Sequence, residues 1–334
     1  MTYLMKQLVL LLGVLGTLTG GAQQASLVWP SAVNSTARTQ LFDQDWRFLR
    51  DSVPGAEQPS YQDDTWRRLT LPHDWSIEDL PPQQAGTVAG PFARSSAGAT
   101  STGYAVGGTG WYRKTFTLPP ATGAKRVSVR FDGVYRNADV WLNGHHLGFH
   151  PYGYTPFIYD LTPYHTGSGI YRHVWLTIAE SIHVAPWGIT VTTPQVSDSA
   201  AQVQVRTVVV NQGSIAAPVT VQVLLQTADG RVVNSTRKTA TVAAAGRTDV
   251  TQTLTLAQPK RWSVETPYRY RAVVTIRQGS RTVDSLSTPF GVRTIHFNAQ
   301  TGFTLNDKRI GLKGGCVHHD NGPLGAVALD RAEE

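Results

Sequence analysis

The chain has 334 residues, 41% hydrophobic and 16% charged, with 31 glycines, 19 prolines and a single cysteine. That is about two domains of chain, too apolar for disorder and too polar for a multi-span membrane protein. One cysteine excludes an internal disulfide framework and a cysteine-built zinc site. The net charge of +7 is carried singly or in pairs such as Arg67-Arg68 and Lys260-Arg261, without the basic stripe that tracks a phosphate backbone, so no nucleic-acid partner is expected.

The first segment reads as an address. Lys6 precedes Leu8-Val9-Leu10-Leu11-Leu12, the apolar run continues to about Leu18, and Gly20-Gly21-Ala22-Gln23 follows. A short basic region, an apolar core and small residues at a break describe a secretory signal peptide. Residues 1–22 are assigned to it, with cleavage near Ala22 and a periplasmic or secreted product; the competing reading is a buried apolar N-terminal helix. The run is shorter than the ~20 apolar residues a bilayer span requires, and no membrane partner is expected.

Beyond it the pattern is β throughout. Val127, Val129 and Phe131 alternate with Arg126, Ser128 and Arg130. Val203, Val205 and Thr207 alternate likewise, Val219, Val221, Val223 and Leu225 line one side of a further run, and Val273 to Ile276 is a short β-branched stretch. Period two with β-branched residues predicts half-buried strands. Asn143-Gly144 after Val140-Trp141-Leu142 predicts a tight hairpin, and Asp229-Gly230 a second. No helical stripe of useful length follows the leader, so antiparallel all-β layers are expected.

Composition divides the body. Seven of the nine tryptophans lie between Leu41 and Trp187, with long Gly/Pro/Ser loops such as 81–101. From Ile189 to about Arg293 the chain is poor in aromatics and rich in Val, Thr and Gln, with strands spaced as in a small immunoglobulin-like sandwich. From His296 on, Phe303-Thr304-Leu305, a turn at Asn306-Asp307 and a strand over 309–313 lead into Gly314-Gly315-Cys316-Val317-His318-His319-Asp320. Only a few residues remain after that.

Side chains able to carry chemistry are sparse. Glycoside hydrolysis needs two carboxylic groups across the scissile bond, and no convincing pair is visible. Glu333-Glu334 and Asp63-Asp64 read as solvated. His145 and His146, adjacent on a strand, point to opposite faces and are not expected to grip one metal. His318, His319 and Asp320 read as a polar ligand contact at a strand end; a metal site or a strand-capping turn are the other readings. The first domain's tryptophans either fill the core or stack on sugar faces, core filling being favoured.

Several segments in order resemble glycoside hydrolase family 2 in its β-galactosidase-like branch. They include Leu71-Pro72-His73-Asp74-Trp75, Gly110-Trp111-Tyr112-Arg113-Lys114, Phe131-Asp132-Gly133-Val134-Tyr135 and Trp141-Leu142-Asn143-Gly144. Tyr152-Gly153-Tyr154-Thr155-Pro156-Phe157, Gly169-Ile170-Tyr171-Arg172-His173-Val174-Trp175, Trp262-Ser263-Val264-Glu265-Thr266-Pro267 and the stretch through His318-His319-Asp320 complete the series. The resemblance implies an all-β chain: a jelly-roll sugar-binding domain over 39–184, an immunoglobulin-like β-sandwich over 185–294, and only the truncated start of a (β/α)8 barrel over 295–334. It implies hydrolysis of terminal β-glycosides with retention through two glutamates that would lie in barrel sequence beyond residue 334, hence no catalytic residue in the chain. Separately, no cofactor and no metal site are expected. The resemblance also implies that His318 lines the sugar pocket and that His173 stands where some members place a residue that helps form it; His319 and Asp320 are candidates through the strand-end contact they share with His318. The expected partner is a β-galactoside-type carbohydrate.

Two departures accompany the resemblance. A barrel takes about 250 residues, far more than remain here. And 161–166 runs straight into 167–170, where family members carry a further strand, a loop and an aromatic segment. The leading reading is therefore the N-terminal portion of a secreted β-glycosidase, inactive alone. The alternatives are a non-catalytic carbohydrate-binding or scaffold protein, and a piece that associates with a separately made barrel-bearing chain.

Overall fold

The computed structural model describes residues 8–12, 16–17, 38–77, 88–89, 92–94, 100, 108–119, 122, 125–162 and 172–315. The described residues contain no α-helix. The strands of the first part are β1 (Leu8–Leu12), β2 (Gly16–Thr17), β3 (Thr39–Leu41), β4 (Trp46–Leu49), β5 (Arg67–Leu69), β6 (Ser76–Ile77), β7 (Val88–Ala89), β8 (Phe92–Ala93), β9 (Trp111–Phe116), β10 (Arg126–Phe131), β11 (Ala138–Leu142), β12 (His145–His150), β13 (Phe157–Asp160) and β14 (Val174–Ala179). Then come β15 (Ile182–Val196), β16 (Ala200–Asn211), β17 (Ala217–Gln226), β18 (Val232–Val242), β19 (Gly246–Ala257), β20 (Tyr270–Gln278), β21 (Arg281–Phe290), β22 (Ile295–Asn298), β23 (Gly302–Leu305) and β24 (Lys308–Arg309). The chain forms two units, residues 1–29, 39–178 and 317–334 in the first, 30–38 and 179–316 in the second.

The first unit has a six-stranded sheet in the order β12-β11-β1-β9-β4-β5 and a four-stranded sheet in the order β13-β10-β14-β3. Strands β10 and β11 bury every second residue, and Val127, Val129, Phe131, Val140 and Leu142 join Trp46, Trp75, Tyr112 and Leu176 in one core. Burying each such side chain contributes about 1.5–3 kcal/mol, so the alternation fixes which face turns inward. Trp46, Trp66 and Trp75 are buried, Trp111, Trp141 and Trp175 are half-buried, and Trp187 is exposed, so core filling holds for only part of the set. Asn143 and Gly144, at φ 51° and 84°, close the β11–β12 hairpin.

Asp63 corrects the solvated reading of Asp63-Asp64. Arg47 and Arg113 stand opposite each other on β4 and β9, a like-charge pair that disfavours pairing. Asp63 sits between them, at 2.5 Å from Arg47 and 2.8 Å from Arg113, and its side chain is only 15% exposed. Arg113 is buried and also donates to the carbonyls of Ala56 and Gln58. Asp64 keeps its exposure.

The second unit is a seven-stranded antiparallel sandwich, β15-β16-β19 facing β18-β17-β20-β21. Val203, Val205, Val221, Val223, Leu225 and Ile276 form its centre, with polar neighbours outward. The Asp229-Gly230 hairpin forms, with a difference: only Gly230 has positive φ, and the turn is closed from Thr227 to Arg231. Strands β22, β23 and β24 make a small antiparallel sheet turned at Asn306 and Asp307, both at positive φ. The strand expected over 309–313 is reduced to Lys308–Arg309, and 310–315 has no regular structure. A barrel strand is stabilised by parallel neighbours and cover on both faces; Leu312 stands 70% exposed.

Candidate functional site

Three segments of the first unit meet at one end of its sandwich: the 132–137 connection between β10 and β11, the 151–156 connection between β12 and β13, and residues 172–175 leading into β14. Strand ends deliver all three, which is where a β-sandwich presents its loops. The Asp132 N–H donates to the His173 carbonyl at 3.0 Å, and the Asn137 N–H to the Pro151 carbonyl at 3.4 Å. One connection therefore touches both of the others.

Asp132 is fully engaged. Its carboxylate accepts the Trp175 indole N–H at 2.6 Å and the Arg130 Nε–H at 2.7 Å, while the Arg130 guanidinium lies 5.3 Å from the centre of the Trp175 ring. His173 is held from beneath by Asp43, which is 2% exposed. The same carboxylate accepts the Val174 backbone N–H at 2.8 Å. Nearby, Lys114 is buried, donates to the Gln44 carbonyl, and lies 4.5 Å from the Phe42 ring centre. Burial pushes its ammonium below the usual lysine range, against the opposing pull of Asp45 and Asp43.

On the outer side of the same connection stand three exposed tyrosines. Tyr135 and Tyr154 meet edge to face at 5.4 Å, and Tyr152 and Tyr154 at 5.7 Å. Gly153 makes the packing feasible: a Cβ there would lie 2.4 Å from Tyr135 Cδ2 and 3.2 Å from its Cα. Burial, then the Tyr135 hydroxyl, pushes the Tyr154 phenol up. The cluster offers ring faces and hydroxyls together, the combination that suits a ligand with apolar C–H faces and polar edges. Three neighbouring exposed rings also make a patch of the kind that marks binding surfaces.

Of the residues expected from sequence, His173 lies in this region with its side chain 23% exposed. His318, His319 and Asp320 lie outside the described residues. Among the described residues no group of three or more His, Cys, Asp or Glu is placed to hold a metal ion. His146 engages Asp139 at 2.8 Å. The tyrosine cluster is a feature the residue-level reading missed. Its signal was present in Tyr152-Gly153-Tyr154 at a strand connection and in Tyr135 shortly after Asp132-Gly133.

The first unit is a two-sheet β-sandwich and the second a seven-stranded antiparallel one. Residues 41–174 match the profile of the glycosyl hydrolases family 2 sugar binding domain, and residues 182–293 match a second profile of glycosyl hydrolases family 2. The chain belongs to glycosyl hydrolase family 2. It is 38% identical to the β-galactosidase BoGH2A of Bacteroides ovatus over 94% of its own length and 38% of that protein. It is 31% identical to a putative β-glucuronidase of Formosa agariphila, over 86% of this chain and 28% of the relative. The solved structure of a family 2 member from Bacteroides cellulosilyticus superposes with a TM-score of 0.82 at 39% identity, over 89% of this chain and 40% of that one. The chain thus spans well under half the length of these relatives.

Proposed function

We propose that this chain is the carbohydrate-engaging N-terminal portion of a secreted, retaining β-glycosidase of the β-galactosidase type, acting on terminal β-glycosides. The tyrosine cluster carries this reading: three exposed rings around Gly153, on the unit that matches the family's sugar-binding domain. The β-galactosidase name of the relative from Bacteroides ovatus favours a galactoside over a glucuronide. Export rests on Lys6, the apolar run after it and the small residues at 20–22.

The polypeptide by itself binds sugar and does not cleave it. Four carboxylates at the heart of its units are committed to structure: Asp43 to His173 and Val174, Asp63 to two arginines, Asp132 to Arg130 and Trp175, and Asp284 to Arg38 and the Val184 N–H. A retaining reaction needs two carboxyl groups about 5–5.5 Å apart and free to meet the sugar. Association with a barrel-bearing chain would supply them.

The test is equilibrium binding of lactose or galactan to the purified chain, beside a Tyr154→Ala variant. Saturable binding that the variant weakens is expected. A chain that retains neither β-galactoside nor β-glucuronide contradicts the proposal.

A further inference from the structure

Strands β9 and β11 are near neighbours in the six-stranded sheet and do not pair with each other. β9 pairs with β4 through Arg47↔Arg113, Phe48↔Tyr112 and Leu49↔Trp111, and β11 pairs with β12. Each turns its remaining edge toward a slot one strand wide. Leu8–Leu12 occupies that slot antiparallel to both sides, from Leu8↔Phe116 to Leu12↔Tyr112 on β9, and at Leu10↔Leu142 and Leu11↔Trp141 on β11.

The flanking strands belong to the core. Tyr112, Arg113 and Lys114 of β9 are buried, as are Val140 and Leu142 of β11. Trp111 and Trp141, one from each flanking strand, come to 5.5 Å between ring centres. Without a strand between them, two rows of backbone N–H and C=O groups in the middle of a sandwich sheet lose their partners, and an open edge of this kind invites a foreign strand. A segment apolar at every position suits such a central place, where both faces of a strand are covered.

We propose that Leu8–Leu12, the run that reads as the core of an export signal, is also the strand that closes the first unit's sheet. A chain that keeps these residues has a continuous six-stranded sheet. A chain processed near Ala22 loses the strand and carries an open slot between β9 and β11. Export with cleavage and closure of this sheet by the chain's own residues therefore exclude one another. This inference is independent of the carbohydrate reading.

The test uses the full chain, produced without export so that residues 1–22 remain, in a Cys316→Ser background. Val9 and Thr115 stand directly opposite in the ladder, within the Cα separation that a disulfide spans. Val9→Cys with Thr115→Cys should form an intramolecular disulfide under mild oxidation, read by mass spectrometry. Val9→Cys with Phe149→Cys should not, because Phe149 lies on β12, beyond β11. As a second reading, Leu10→Pro removes a ladder donor from mid-strand and should lower the first unit's melting temperature by about 5 °C or more. Absence of the specific cross-link, equal cross-linking of the control pair, or a Leu10→Pro chain that melts like the parent overturns the proposal.

Discussion

His173 donates from Nδ1 to Oδ2 of Asp43 across 2.7 Å, joining the start of β14 to the end of β3 over 130 positions of sequence. Asp43 also takes the Val174 N–H, and the Phe42 N–H donates to the Val174 carbonyl at 2.8 Å. Asp43→Ala removes the acceptor of two donors, one of them a buried backbone N–H. A loss of about 1–3 kcal/mol for each buried polar group left unpaired is the expected scale. Denaturant titration of the full chain should show the first unit's transition shifted and the second unit's unmoved. His173→Ala should cost less, since it leaves the Val174 bond intact.

Arg113 is a costly position to neutralise in the first unit, being buried and bonded to Asp63 and two backbone carbonyls. Arg113→Met leaves Asp63 with Arg47 alone and releases the carbonyls of Ala56 and Gln58. Breaking one side of a buried, hydrogen-bonded pair costs about 3–5 kcal/mol. Thermal unfolding should show the first unit's transition at a lower temperature, with the sandwich of 179–316 melting at its parental temperature. Asp64→Asn, which alters an exposed partner of Arg47, should change little.

The tyrosine cluster has a pH signature. The Tyr154 phenol is raised above its ordinary value, first by burial and then by Tyr135; Tyr159 and Tyr270 are raised by burial. A raised folded value means that the neutral phenol is favoured in the folded state. The associated stability is present at all pH below the ordinary tyrosine value near 10 and is lost as pH rises through the higher folded value. Ultraviolet titration at 295 nm should therefore show a late-ionising group that disappears in Tyr154→Phe. A titration curve identical in the two proteins would count against the cluster as drawn.

Gly153→Ala separates shape from chemistry. It keeps all three tyrosines and places a methyl 2.4 Å from Tyr135 Cδ2, so the rings must part. Sugar binding should weaken at least several-fold in calorimetry while the far-ultraviolet spectrum stays that of the parent. Unchanged affinity would move the sugar contact elsewhere on the unit.

Much of this fold was legible because it is written in period two. Val127-Val129-Phe131 and Val219-Val221-Val223-Leu225 bury the residues their alternation marks, and Asn143-Gly144 turns where two consecutive positive φ values are needed. What was hidden is non-local. Nothing in the sequence around Asp63 shows that two arginines on different strands converge on it, or that Asp43 waits for His173. Strand pairing hid a second fact: Leu8–Leu12 has the composition of an address, and only the unpaired edges of β9 and β11 make it a strand. The segment after Arg309 failed for a related reason, since 310–315 finds no strand partner among the described residues. Tyr135, Tyr152 and Tyr154 were overlooked because an exposed aromatic looks in sequence like a buried one.

The most direct measurement follows release of nitrophenol from a nitrophenyl β-galactoside by the purified 334-residue chain, with binding of the same compound recorded in parallel. Binding without release is the expected result. Steady release that disappears when a carboxylate within the chain is changed to its amide would contradict the reading of this protein as the sugar-engaging part of a family 2 glycosidase that does not cleave by itself.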